Sequence, residues 1–134
     1  MSDWNTAIIQ EFRDNQGVVV GMFEGRPLLL LTSTGAKTGN PHTTPAACYM
    51  DGDAWVIIAS AAGADSNPAW YFNLKANPKA RIEVGAETLD VEATEAVGDD
   101  RDRLYAGMVE LSPQFAEYEL TTARKIPVFR LARA

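Results

Sequence analysis

The residues best placed to do chemistry in this chain stand where a leucine run ends: Leu28 to Leu31, then Thr32-Ser33-Thr34, then Gly35-Ala36-Lys37-Thr38-Gly39-Asn40-Pro41. An apolar run stiffening into hydroxyl residues reads as a buried strand. The small residues after it bring backbone N–H groups and one ammonium together, which is the chemistry of a phosphate seat. The pattern is not a Walker P-loop. No glycine stands five residues before Ala36, Ala36 itself replaces the glycine before the lysine, and Pro41 follows where a helix would have to run. A plain strand–turn–strand is the competing reading.

The other reactive groups are few. His42 is the only histidine and Cys48 the only cysteine, so a multi-histidine or cysteine-cluster metal site is excluded, and any Ser-His-Asp triad would have to use His42. Ser60 closes the third apolar run and reads either as a turn residue or as a hydroxyl donor to a ligand. Tyr118, on a predicted helix face, either donates a proton to a substrate or packs with its hydroxyl in water.

A chain of 134 residues with 46% hydrophobic and 22% charged residues is expected to form one globular domain over residues 1–134, burying roughly two-thirds of its unfolded surface. The net charge of -6 at pH 7 argues against nucleic acid as a partner, because phosphate-backbone affinity comes from neutralising cations. A small anion remains acceptable, since local positive charge outweighs distant net charge beyond a Debye length of about 8 Å. The N-terminal residues lack the basic and apolar regions of a secretory signal, and a lone cysteine suits a reducing compartment. A cytoplasmic location is therefore expected.

Elements that position these residues follow from periodicity and punctuation. Residues from about Asp3 to Asn15 carry Trp4, Ile8 and Phe12 at four-residue steps and read as an amphipathic helix ended by Gly17. Its apolar stripe is expected to cover the core, to lid a pocket or to make weak peripheral contact with a membrane; few basic residues on its polar face argue against strong membrane attraction. After a glycine-punctuated link, strands are expected over Pro27 to Thr34, Thr43 to Met50 and Ala54 to Ser60, the last two joined by Asp51-Gly52-Asp53. Asn67 reads as a helix cap with Pro68 at the first helical position, Ala69 to Ala76 as the helix, and Asn77-Pro78 as its stop. Strands over Lys79 to Val84 and Thr88 to Val97 flank Gly85-Ala86-Glu87. A helix from Gly98 to about Leu111, a shorter one opened by Ser112-Pro113 and running to about Thr122, and a strand over Ile126 to Leu131 complete the chain. Hairpin-length connections imply an antiparallel sheet, and six strands in so short a chain with helices on the rim imply a small Greek-key barrel of the α+β class.

Several of these segments together resemble the deazaflavin-dependent nitroreductase family: Glu11-Phe12-Arg13, Phe23-Glu24-Gly25, Leu28 to Gly39, Asn67 to Pro78, and Arg124 to Val128. The resemblance spans nearly the whole chain, and the Asn-Pro-x-Trp-Tyr segment is its most specific part. It implies a split β-barrel of the FMN-binding-like kind that binds coenzyme F420 and passes a hydride from the reduced deazaflavin to a quinone or similar small acceptor. Coenzyme F420 carries a phosphodiester and a carboxylate-rich tail, so its site needs cations and N–H donors at one end and an apolar slot at the other.

Carried onto this chain, the resemblance implies a cofactor site at Thr34, Gly35, Ala36, Lys37, Thr38, Gly39, His42, Pro45, Ile58, Ala59, Ser60, Ala61, Ala62, Asn67, Pro68 and Trp70. Lys37 and the amides of Ala36 to Gly39 would hold the phosphate end. Where the family usually shows basic residues, Ala36 has none and His42 offers a weaker, imidazole side chain. Ala61 also removes a longer side chain, leaving amides. The N-terminus of the helix after Asn67-Pro68 offers N–H groups to an anion, although a plain capped helix explains the same residues. Trp70 and Leu74 share a helix face and read as core, or in Trp70's case as a wall for the ring. Lys75 and Lys79 face solvent or reach the tail. Ser112, Phe115 and Tyr118 occupy the three-residue spacing at which the family commonly places tyrosines over the acceptor, so weak or no reduction of bicyclic nitroimidazoles is expected. Ser60 and Tyr118 are the candidate catalytic residues. The alternatives are an FMN-binding reductase on the same barrel and a carrier that holds F420 without turnover. A homodimer is expected if open barrel edges need covering.

Overall fold

The structure, a computed structural model, describes residues 3–14, 28–59, 67–85, 87–111, 113–122 and 125–134. In chain order the elements are α1 (Asp3–Asp14), β1 (Leu28–Thr34), β2 (Pro41–Asp51), β3 (Ala54–Ile58), α2 (Ala69–Ala76), β4 (Lys79–Val84), β5 (Glu87–Ala96), α3 (Gly98–Leu111), α4 (Gln114–Thr121) and β6 (Val128–Arg133). Every strand pair is antiparallel, and the ring closes in the order β1-β2-β3-β6-β5-β4. The return of β4 to lie beside β1 after the β1–β2–β3 meander is a Greek key.

Closure explains the leucine run. Side chains alternate across a strand, so Leu29 and Leu31 point into the barrel with Trp55, Ile57, Ile82, Val91, Phe129 and Leu131. Leu28 and Leu30 point out, where they meet Ile8, Ile9 and Phe12 of α1. Both faces of β1 are thus dry, and each fully buried leucine contributes about 2 kcal/mol of transfer free energy. Arg13 fixes the helix with a two-pronged bond to the Glu83 carboxylate at 3.0 and 2.8 Å. Ile8 and Phe12 of that stripe pack on β1 and so cover the core. Gly17 and the link to β1 lie outside the described residues.

A third cluster covers the outer faces of β3 and the adjoining strand ends: Val56, Ile58, Ala96 and Val128 meet Leu104, Tyr105, Met108, Phe115 and Ile126. Helix α3 docks on β2 through Tyr49, whose hydroxyl donates to the Leu104 carbonyl at 2.7 Å. Gly107 permits this approach, because a Cβ there would sit 2.6 Å from the Tyr49 oxygen. Helix α2 covers one end of the barrel, with Leu74 buried in the inner cluster and Trp70 and Tyr71 packed against it.

Three expected features differ. β2 begins at Pro41, because a proline is tolerated as the first residue of a strand. β6 begins at Val128, since Pro127 has no N–H to donate to a ladder; the buried Ile126 and Pro127 instead offer carbonyls to Arg101 and to the Ala59 N–H. Pro68, not Asn67, is the N-cap of α2. Closure of the ring also leaves no open barrel edge to drive dimerisation, so that reason for a second copy falls away.

An ion-pair network ties the β2–β3 hairpin to α3 and β6. Asp51 meets Arg103 at 3.2 Å and Arg130 at 2.9 Å, and Arg103 meets Asp100 at 2.9 Å. The hydrogen bond from Arg103 holds the Asp51 carboxyl below its ordinary range, assisted by the charges of Arg103 and Arg130. A depressed carboxyl pKa stabilises the fold above the unfolded value, near pH 4, and that contribution disappears as pH falls through the folded value. Asp51→Asn is therefore expected to lower the urea midpoint at pH 7, with the gap to wild type narrowing as pH falls below about 4; a gap that keeps its size on acidification would show that the ionised pair is not the cause.

Candidate functional site

In an antiparallel ring the ends of β1, β3 and β5 and the starts of β2, β4 and β6 share one rim. The topology therefore gathers Thr34 to His42, Ile58-Ala59 and the Asn67-Pro68 entry to α2 at the same end of the molecule. Ser60, Ala61, Ala62 and Ser112 lie outside the described residues.

The turn from β1 to β2 is closed by its own backbone. The Gly35 N–H donates to the Asn40 carbonyl at 2.7 Å and the Gly39 N–H to the Gly35 carbonyl at 2.9 Å. Gly39 sits at φ 74°, where a Cβ would be strained. The Thr38 hydroxyl accepts the Asn40 N–H at 3.2 Å. Gly35 is buried although the residues after it are exposed, because the His42 ring and the Thr38 hydroxyl close over it. A Cβ at Gly35 would lie 2.8 Å from Thr38 Oγ1 and 2.9 Å from His42 Nε2.

This geometry divides the four expected anion-binding amides. Ala36 gives its N–H to Asn73 Oδ1 at 3.0 Å and Gly39 gives its own to Gly35. Among the described residues, the N–H groups of Lys37 and Thr38 have no partner, and the exposed Lys37 ammonium has none either. Two amides and one cation offer an anion fewer donors than four amides would.

The second group of predicted residues gathers along the outer face of β2 and under α4. Thr43 to Ala47 are all half-buried. Pro45 stands opposite Leu30, beside the α1 cluster, while Ala47 packs on the α3–α4 cluster. From His42 to Ala47 the strand rises about 17 Å, so this face links the turn to the cluster in which Ile58, Phe115 and Tyr118 meet. Phe115 is buried and stacks edge-on with Tyr118, centroids 5.2 Å apart. The Tyr118 hydroxyl accepts a hydrogen bond from Gln114 Nε2, and the Phe115 carbonyl accepts one from the Tyr105 hydroxyl at 2.6 Å, which fixes the start of α4.

Other predicted residues are placed differently. Trp70 stands edge-on to Phe129 at 5.9 Å between centroids, so one side of it belongs to the barrel plug and only its remaining half-exposed surface is available to a ring. Lys75 pairs with Glu95 at 2.7 Å and Lys79 is exposed; Lys75 is thus bound to the protein itself. Burial pushes the Cys48 thiol up to about 12, removing thiolate chemistry at neutral pH. No group of three or more His, Cys, Asp or Glu among the described residues is arranged to hold a metal ion.

Sequence reasoning missed Asn73. It is buried at 7% exposure and joins α2 to the turn. The signal was present, because Asn73 stands one residue before Leu74 and three after Trp70 on the apolar face of its helix. A polar side chain there must find partners.

Comparison with known proteins places this chain among reductases. The sequence model described as F420H(2)-dependent quinone reductase matches residues 4–132. An F420H(2)-dependent quinone reductase of Mycobacterium tuberculosis is 41% identical over 112 residues, covering 80% of this chain and 74% of the relative. Among solved structures, an F420-H2 dependent reductase superposes with a TM-score of 0.73 at 38% identity, over 79% of this chain and 94% of that one. A structure described as a domain-swapped dimer superposes at 0.75 with 37% identity, over 96% of this chain and 97% of that one. This chain belongs to the F420H2-dependent quinone reductase family, and its class is therefore that of oxidoreductases.

The close packing over Gly35 makes a direct test of the turn. Gly35→Ala is expected to cost about 1 kcal/mol through overpacking, and His42→Ala should recover part of that cost in the double variant, the Thr38 contact remaining. Denaturant unfolding of the four proteins measures the coupling; strictly additive effects would show that His42 does not roof the glycine.

Proposed function

We propose that this protein is an F420H2-dependent reductase that passes a hydride to a quinone or a similar small electrophile. The observation that carries the reading is the rim turn with its two uncommitted amides and Lys37, held at one end of the half-buried β2 face. The set fits the cofactor: cation and N–H donors suit a phosphodiester, while the half-buried β2 face with Pro45 and Ala47 suits a flat ring. Bound F420H2 supplies the hydride. The protein's part is to bind and orient.

Lys37 and the amides of Lys37 and Thr38 hold the anionic end. The β2 face and Ile58 carry the ring end, with Trp70 offering its open side. Tyr118, oriented by Gln114, positions the acceptor and donates a proton to its reduced oxygen. Ser60 and the Ala61 and Ala62 amides complete the ring site in this reading. The family to which the chain belongs is named for F420H2, which speaks for the deazaflavin over FMN. Phe115 in place of a polar residue favours quinones over bicyclic nitroimidazoles. A second copy is the protein partner we propose, because a relative of this fold at 37% identity is described as a domain-swapped dimer. We place the reaction in the cytoplasm, where a buried unpaired thiol such as Cys48 persists.

Purified protein mixed with F420H2 and menadione is expected to oxidise the cofactor, followed by the return of its visible absorbance; absence of both binding and turnover would overturn the reading. Lys37→Ala should weaken F420 binding about tenfold at low salt and less at high salt. Tyr118→Phe should leave F420 binding unchanged and lower kcat, and the reverse pattern would exchange the two assignments.

A further inference from the structure

We infer that Asn73 is a positioning residue for the cofactor's anionic end, acting through the Ala36 peptide; the inference rests on the F420 reading. Asn73 Oδ1 accepts the Ala36 N–H at 3.0 Å, and Nδ2 donates to Ser33 Oγ at 3.2 Å. An N–H can only donate, so the carboxamide oxygen must face Ala36, and the orientation of the amide is settled by chemistry. Asn73 is 7% and Ser33 2% exposed. Neither group can trade its partner for water without opening the fold.

The consequence for the turn follows from peptide planarity. In a trans peptide the N–H and C=O point in opposite directions. With the Ala36 N–H drawn toward Asn73, the Gly35 carbonyl is turned away from it, and there it accepts the Gly39 N–H at 2.9 Å. One side chain thereby sets both committed amides and leaves those of Lys37 and Thr38 for a ligand. Asn73 also stands on the α2 face that carries Trp70 and Leu74. The anion seat and the helix beside the ring site are thus tied through a single carboxamide.

The test compares two ligands. Coenzyme F420 carries the phosphodiester tail, and its deazaflavin riboside fragment lacks it. Asn73→Ala is expected to weaken F420 about tenfold, the effect of roughly one hydrogen bond, while changing riboside affinity by less than about twofold. Asn73→Asp is isosteric, keeps an oxygen toward Ala36 and lets the Ser33 hydroxyl donate, so it guards against an unfolded alanine variant. The negative charge it adds behind the turn should weaken F420, more at low salt than at high, and again spare the riboside. Equal losses for both ligands in the two variants would reduce Asn73 to a general packing role and overturn the inference, as would unchanged F420 affinity in both. Wild-type protein that bound neither ligand would overturn the F420 reading, and this assignment with it.

Discussion

Closure of the six-strand ring is the constraint on which the rest depends. A closed sheet has no edge to protect, but alternation along each strand gives it two faces, and a chain this short must find apolar cover for both. The inner face fills itself with Leu29, Leu31, Ile57, Ile82, Phe129 and Leu131. The outer face needs α1 over Leu28 and Leu30, and α3 with α4 over Val56, Ile58 and Val128. Between those covers the outer face of β2 is only half-buried.

The same closure places the chemistry. Because all neighbours are antiparallel, alternate strand ends converge on one rim, and α2 seals the barrel there with Leu74. Sealing that rim while keeping the turn exposed requires a polar joint. The joint is the Asn73 carboxamide, with Ser33 on one side and Ala36 on the other. Barrel closure and the conformation of the turn meet in one buried side chain.

Much of this was legible in the residues. The Asn-Pro pairs that bracket α2 gave its helical span, Ala69 to Ala76, and the acidic start of α3 marked Gly98, because proline and the charge preference of a helix start act locally. Periodicity paired the strands into hairpins. It erred where apolarity and hydrogen bonding diverge: Ile126 and Pro127 are buried yet outside the ladder, since a proline nitrogen has nothing to donate. The composition of the turn suggested donors for an anion. Which of its amides stay uncommitted was not legible, because that depends on Asn73, 37 residues away from Ala36. The fate of Lys75 was hidden for the same reason, its partner Glu95 being 20 residues further along the chain. Long-range partners decide which donors are left for a ligand, and a local reading of the chain cannot assign them.

The central claim is that the Lys37 and Thr38 amides, and not those of Ala36 and Gly39, receive the anionic end of F420. Amide NMR of 15N-labelled protein titrated with F420 measures this directly. A new hydrogen bond to a phosphate oxygen should move the Lys37 and Thr38 proton resonances downfield, while Ala36 and Gly39, already bonded within the protein, move little. Saturable shifts centred elsewhere, with residues 36 to 39 silent, would contradict the account.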